Sequence, residues 1–280
     1  LLYRSRENGG KEVGDVQDAL LSPEELEKHA AEIASMHKIT EKSTSKRWIL
    51  PRMNDNYKYI ESVYKKLNED LKNKKITASA SEWLLDNFYI IEQQIKEIRR
   101  DLSKKHYLQL PVLKNGPFKG YPRIYAIAIE LVAHSDGRFD EKGLIRFIES
   151  YQTKETLSSR ELWAVAIMIR IVLIENIRRI CEKIFESQQD FLQADALADK
   201  ILEKAGQSEE VLLQEFKEGM DKIERISPSF VEHLIKRFRS QQHEMTALMQ
   251  YLDEQLHEHD TTAEKMIQQE HQEQAARQMS

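Results

Sequence analysis

The longest apolar stretch of the chain lies between residues 158 and 185. From Leu162 to Ile174 the only charged residue is Arg170, so hydrophobic side chains occupy nearly every face of a helix there. A helix that is hydrophobic all round is buried, either in a protein core or in a membrane. A spanning helix needs about 20 apolar residues, and a central charge is costly in lipid. The pattern therefore favours a buried core helix, with no membrane insertion by this segment.

The start of this central helix is marked in the sequence. Ser158 and Glu161 have the spacing of a capping box, in which each side chain bonds the other residue's backbone N–H. After Glu175 the apolar positions fall on one face only, opposite charged residues. We expect the helix to pass through the middle of a bundle and to leave at its surface near residue 185.

Amphipathic spacing predicts shorter helices along most of the remaining chain. Pro111, Gly116 and Gly120 make the segment 103–121 the main loop. The other predicted helices cover residues 23–37, 54–73, 80–102, 122–134, 140–151, 190–206, 208–225, 227–240, 243–259 and 262–278. The sequence thus predicts an all-α fold, a bundle of about ten helices around the central helix 158–185.

The same pattern suggests three parts. They are an N-terminal arm with one helix and a linker (1–51), a core helical domain (52–186), and a more polar C-terminal helical extension (187–280). The chain begins at Leu1 without methionine and stops at Ser280 inside a helical pattern. We therefore expect a piece of a longer protein, with the extension leading toward a missing catalytic region.

Composition narrows the class of protein. Only nine glycines and six prolines occur in 280 residues, which favours helices joined by short connections. The net charge of −5 provides no basic excess to neutralise phosphates, so nucleic acid is not expected as a partner. Cys181 is the only cysteine, which excludes an internal disulfide and favours the reducing cytoplasm. Its place on an apolar helix face predicts a small buried hydrophobe.

Several signatures of catalysis are absent from the sequence. It has no G-x-G-x-x-G, no P-loop and no H-E-x-x-H motif. His257, His259 and His271 lack the helical spacing that brings two imidazoles to one metal ion. We therefore expect no metal, no cofactor and no catalytic residue within this chain.

Polar residues that interrupt apolar helices are the candidates for chemistry. One interpretation is an interhelical network, in which a carboxylate from helix 80–102 or helix 122–134 neutralises Arg170; buried charges are mostly paired in this way. The other is a pocket for carbohydrate, with Trp83, Tyr121 and Trp163 as stacking platforms. The candidate cluster comprises Trp83, Asp86, Asn87, Tyr121, Arg123, His134, Asp136, Glu161, Trp163 and Arg170.

From about Arg52 to Ser280, the chain resembles the segment that precedes the glycosyltransferase part of cyclic β-1,2-glucan synthases. These are very large bacterial proteins that also carry a glycoside-phosphorylase-like region. Loops match as well as helices. The matching stretches are EWLLDNF (82–88), EQQI (92–95), IRRDL (98–102), YLQLP (107–111), GP (116–117), GYPR (120–123), HSDGR (134–138), ELWA (161–164), RIVLIENIRR (170–179), EHQ (270–272) and QAA (274–276).

The resemblance implies a role beside catalysis. In the family, a membrane-embedded glycosyltransferase domain with an aspartate set and a Q-x-x-R-W motif transfers glucose from UDP-glucose. This chain has no D-x-D, and Thr44 stands where the motif would need glutamine before Arg47-Trp48. The resemblance therefore implies a non-catalytic accessory or scaffold region that docks on catalytic domains of the same polypeptide, in the cytoplasm, with the parent protein at the bacterial inner membrane.

Two alternatives remain open at this point. One is a carbohydrate-binding module that holds the β-1,2-glucan chain, which requires an exposed Trp83, Tyr121 or Trp163 beside carboxylates. The other is a self-standing helical enzyme, which requires two carboxylates that converge in an open cleft.

Overall fold

The structure, a computed structural model, describes residues 20–40, 46–72, 79–135, 137–204, 206–223, 225–239, 246–257 and 262–268. In these ranges helices dominate, which confirms the all-α prediction. The helices are α1 (Pro23–Met36), α2 (Leu50–Lys72), α3 (Ser79–Asp101), α4 (Lys104–Tyr107), α5 (Arg123–Ser135), α6 (Glu141–Gln152), α7 (Ser159–Leu202), α8 (Glu209–Met220), α9 (Pro228–Arg239) and α10 (Thr246–His257), and residues 263–268 are also helical.

Capping residues begin the helices where the sequence indicated. Ser22 accepts a hydrogen bond from the backbone N–H of Glu25, whose carboxylate accepts one from the N–H of Ser22. Asp140 accepts from the backbone N–H of Gly143 at 2.6 Å. The backbone N–H of Ser158 donates to Oε2 of Glu161 at 2.9 Å. Each of these contacts satisfies a donor that the first turn of a helix leaves unpaired, and the predicted starts are confirmed.

The central helix differs from its prediction in length and in exposure. Helix α7 continues for 44 residues, so the prediction of a separate helix at 190–206 was wrong. The chain from 185 to 202 has no glycine or proline that would stop it. Met168, Ile171 and Val172 are fully buried, whereas Leu162 and Trp163 are 44% and 51% exposed. The helix is therefore mostly buried between Ile167 and Val172, where Arg170 keeps contact with solvent, and it is more exposed at its start.

One helix start differs from the prediction, and the predicted loop 103–121 holds only short regular elements. Helix α2 begins at Leu50 rather than at 54, because proline is tolerated in the first turn of a helix and Pro51 does not delay it. The predicted loop 103–121 contains α4 and a short strand. This strand, β2 (Val112–Leu113), pairs antiparallel with β1 (Ile39–Thr40), with Ile39 opposite Leu113.

The described residues divide into two compact units. This division follows contacts in space, whereas the three-part division predicted above follows the order of the sequence. Unit 1 falls within Leu1–Lys66 and Leu84–Ile180, and unit 2 within Leu67–Trp83 and Cys181–Met279. Tyr107, Tyr125, Tyr151 and Phe147 are the largest apolar side chains buried in unit 1. Phe216, Phe230, Leu234 and Leu252 belong to the core of unit 2. The three-part division from the sequence stays a prediction.

Within unit 1, α1 lies against α5 and α6. The backbone N–H of Leu21 donates to the carbonyl of His134 at 3.0 Å, and the hydroxyl of Ser150 donates to the carbonyl of Glu27 at 2.6 Å. The first contact ties the start of α1 to α5, and the second ties α1 to α6. Across the described ranges, no helix combines the length and the hydropathy needed to cross a membrane.

Candidate functional site

Arg123 and Glu161 form a buried ion pair in unit 1. Arg123 is the first residue of α5, and Glu161 lies in the first turn of α7. Nε of the guanidinium donates to Oε1 and Nη2 donates to Oε2, both at 2.9 Å. The side chains are only 2% and 1% exposed. This two-bond geometry is the strongest arrangement of the pair.

The pair is joined to further polar groups. Nη2 of Arg123 also donates to the carbonyl of Thr156 at 3.0 Å, and the hydroxyl of Ser158 donates to Glu161 at 2.9 Å. Although burial opposes the charge, the bonds to Glu161 raise the pKa of Arg123 above its ordinary value. The carboxylate is thus held by an arginine and by the cap of α7.

Tyr151 and His37 extend this polar region. The guanidinium carbon of Arg123 lies 5.8 Å from the centre of the Tyr151 ring, and the tyrosine hydroxyl lies 2.9 Å from Nδ1 of His37. Burial raises the pKa of Tyr151 to about 12 and lowers the pKa of His37 to about 4. Both groups are therefore neutral at pH 7, and they share one neutral hydrogen bond.

Glu175 is the second carboxylate buried in unit 1. Nε of Arg52 donates to its Oε1 at 2.6 Å, and the hydroxyl of Tyr125 donates to its Oε2 at 2.8 Å. Both oxygens have a donor, which is the condition for burying a carboxylate without a large cost. Arg52 lies 123 residues away in the sequence, so the spacing of α7 gave no sign of this partner.

Arg170 has the kind of partner that the sequence predicted. Its Nη1 lies 3.5 Å from Oε2 of Glu97 on α3, which confirms the expected carboxylate from helix 80–102. The two side chains are 38% and 25% exposed. Arg170 therefore sits at the boundary of the core, and its pairing is worth less than that of a fully buried charge.

The predicted stacking residues have different environments. Trp83 and Trp163 are 53% and 51% exposed, whereas Tyr121 is 8% exposed. The centre of the Trp163 ring lies 5.6 Å from that of His106, edge to face. The Tyr121 ring lies 5.3 Å from that of Tyr125. The two tryptophans offer accessible rings, and the tyrosine ring is covered.

The remaining members of the candidate cluster are spread over the fold. Asp86 is exposed and Asn87 is half-buried on α3, while Asp136 lies outside the described residues. The structure brings Arg123 and Glu161 together, but it places His134 beside other partners. A role in sugar contact for this set stays a prediction. Cys181 is buried, which confirms the prediction of a small buried residue. Burial raises the pKa of its thiol to about 12, so the thiol is neutral at pH 7.

His134 belongs to a cluster with His29 and Glu130. Oε2 of Glu130 lies 2.8 Å from Nε2 of His29 and 3.5 Å from Nε2 of His134. The ring centres of the two histidines are 4.5 Å apart. His134 also lines a pocket of about 330 Å³. The spacing of Glu130 and His134 on one helix was the available signal, whereas nothing in the sequence connects His29 to them.

The fold and these pairs define the class: an all-α protein with charged residues of its core paired between helices. No protein-family model matches the chain. Over 218 residues, it is 31% identical to "Cyclic beta-(1,2)-glucan synthase NdvB" of Rhizobium meliloti (strain 1021). The match covers 77% of this chain and 8% of that protein. The chain is thus similar to one part of a large cyclic β-1,2-glucan synthase, which confirms the resemblance read from its motifs.

Proposed function

We propose that this chain is a non-catalytic helical accessory region of a cyclic β-1,2-glucan synthase-like glycosyltransferase. The observation that carries the proposal is the match to 8% of a much larger synthase. The rest of that protein, more than nine-tenths of its length, lies outside the match and can contain the domains that transfer glucose. On this proposal the chain packs against catalytic domains of the same polypeptide, in the cytoplasm, in a synthase associated with the inner membrane.

The hydrogen-bond partners of the buried carboxylates support a structural role for the polar residues of the core. A general acid or base must reach a substrate proton through hydrogen-bond contact. Glu161 and Glu175 instead give their oxygens to Arg123 and Arg52 and to neighbouring hydroxyls. Such bonds occupy the lone pairs that a reaction would use. These carboxylates stabilise the helices rather than act on sugar.

Binding to the rest of the synthase tests this proposal. The chain would be titrated into a synthase from which the matching region has been removed, with sedimentation as the measurement. We expect one copy of the chain to bind, and we expect an Arg123→Met chain with a disturbed core to bind less well. The matched Arg170→Met chain should bind like wild type. Absence of a complex at micromolar concentrations would contradict docking.

The exposed tryptophans favour a second function, the holding of the glucan chain. An exposed indole presents an apolar face with a polar N–H at its edge, which suits the apolar face of a glucose ring. Trp163 is half exposed and lies two helical turns before Arg170 on α7. In this alternative, Trp163 provides the stacking surface, and Arg170 on the same helix provides polar contacts together with Glu97 of α3.

A titration with linear β-1,2-gluco-oligosaccharides tests the second function. Tryptophan fluorescence and melting temperature would be followed together in wild type, Trp163→Ala and Trp83→Ala. A saturable change that is lost in a folded Trp163→Ala protein would support glucan binding. Trp48→Phe is the control, because Trp48 is packed edge-on against Tyr107. No response at millimolar sugar would eliminate this alternative and leave the accessory role.

A further inference from the structure

We propose that His29, Glu130 and His134 form a binding site for Zn²⁺ or a similar divalent transition metal. One ligand atom from each residue lies within 4.8 Å of the other two. All three side chains are partly buried, at 22%, 27% and 16% exposure. The site is independent of the accessory function proposed above, because it rests on the geometry of unit 1 alone.

Two helices hold these side chains in place. Glu130 and His134 are one turn apart on α5, a spacing that puts both on the same face of the helix. His29 comes from α1, which is tied to α5 by the bond from the Leu21 N–H to the His134 carbonyl. Leu21 lies two residues before α1, so the segment that leads into the helix of His29 is bonded to the backbone of His134. Such rigid placement is what a preformed metal site needs.

The separations suit a small cation. With bonds of about 2.0–2.1 Å to each ligand, the ligands of a tetrahedral Zn²⁺ lie roughly 3.3–3.4 Å apart. The carboxylate oxygen of Glu130 is 2.8 Å from one imidazole nitrogen and 3.5 Å from the other. These two separations bracket the metal geometry, and the ligand atoms of the two histidines lie within 4.8 Å of each other.

The chemistry of the ligand set points to the same class of metal. Two imidazoles and one carboxylate are a recognised set for Zn²⁺, and three protein ligands leave a fourth position for water or another ligand. His134 lines a pocket of about 330 Å³, which gives solvent access to this ligand.

A structural histidine–carboxylate bond needs only one histidine, whereas the Glu130 cluster has two. In unit 2, Nε2 of His233 lies 2.9 Å from Oδ1 of Asp195, so a single histidine bonds a carboxylate there. At Glu130, a second imidazole approaches the same oxygen. This contrast makes His233 a matched control, because its removal deletes one histidine–carboxylate bond and no candidate ligand.

Calorimetric titration of the chelator-treated chain with ZnCl₂ tests the proposal. We expect one equivalent to bind and to raise the melting temperature. His29→Gln and His134→Gln should each weaken binding by at least about tenfold, whereas His233→Gln should bind as wild type does. Absence of saturable binding, or equal affinity in the wild type and both ligand variants, would overturn the site.

A measurement on the wild type alone covers the case in which the variants fail to fold. Zinc bound at this site should protect His29 and His134 from modification by diethylpyrocarbonate, read residue by residue by mass spectrometry. His233 should react equally with and without zinc. Protection elsewhere, with none at His29 and His134, would assign the metal to an unrelated surface and contradict the proposal.

Discussion

Arg123 is the largest of the fully buried side chains in the described part of the chain. Removing such a charge from water costs several kcal/mol, and a partner must compensate for that cost. Glu161 does so with two bonds. Arg170 is also paired, but its partner Glu97 and the guanidinium itself keep contact with solvent. The two arginines therefore have different energetic roles, although both interrupt apolar helices in the sequence.

The same substitution at both arginines tests this difference. Arg123→Met leaves the carboxylate of Glu161 buried without its guanidinium, and we expect the free energy of unfolding to fall by about 3–5 kcal/mol. Arg170→Met should cost less than about 1 kcal/mol, because a half-exposed pair contributes little. Urea denaturation measures both. Equal losses in the two variants would contradict the assignment of Arg123 to the core network.

His37 gives a prediction about pH. Its folded-state pKa of about 4 lies below the ordinary value of 6.5, so the unfolded chain takes up this proton first as the pH falls. The stability that the neutral imidazole contributes is complete above about pH 6.5 and is lost toward pH 4. Between about pH 7.5 and pH 5, wild type should lose on the order of 2 kcal/mol more than His37→Gln. Parallel pH curves of unfolding free energy would refute this.

The histidine cluster could be predicted from the sequence only in part. Glu130 and His134 are visible as neighbours on one helix, yet His29 precedes Glu130 by 101 residues. Only the packing of α1 on α5 brings them together, and no periodicity encodes a specific contact over that separation. The expectation of no metal was drawn from the spacing of the C-terminal histidines, and this cluster lies elsewhere.

Among the elements, helix starts were easier to predict than helix ends. Ser22, Asp140 and Ser158 carry their capping contacts within three residues, so local sequence is enough. The continuation of α7 depends on distant partners. The predicted end at residue 185 was wrong: the helix continues, and Gln188 donates to Asp70 at 2.7 Å and Ser187 donates to Ser229 at 3.2 Å inside unit 2.

The packing of α8 against α7 gives a prediction for this unit. Gly219 lies on α8, and a β-carbon added there would fall well inside contact distance of Leu197. Because Leu197 is buried, we expect Gly219→Ala to lower the free energy of unfolding by about 1–2 kcal/mol, despite the better helix propensity of alanine. Thermal unfolding measures the change.

Gly206→Ala is the matched control, since an added β-carbon meets nothing within 4 Å, and its effect should stay within about 0.5 kcal/mol. A double-mutant cycle adds a second check. Leu197→Ala should cost less in the Gly219→Ala background than in wild type, because the new methyl group fills part of the vacated space. Additive losses of unfolding free energy would show that positions 197 and 219 do not interact.

For the whole molecule, the all-α fold and the similarity to cyclic β-1,2-glucan synthases could be predicted from the sequence. The division into two compact units could not. Periodicity and the scarcity of glycine were enough for an all-α fold. The loop motifs carried the resemblance, and the structure shows a reason for two of them: Gly116 and Gly120 have φ of 73° and 87°, which favour glycine. The Tyr121 ring contacts the nearby Tyr125 and also Arg47, which is distant in sequence, and the contact with Arg47 was beyond local sequence.

The most direct test of the account is glucan synthesis from UDP-glucose by three samples, measured as incorporated glucose. The samples are the synthase without the matching region, this chain alone, and the two together. An accessory region predicts little product from the first, none from the second, and recovered synthesis from the mixture. Incorporation by this chain alone, or full synthesis by the shortened enzyme, would contradict the account.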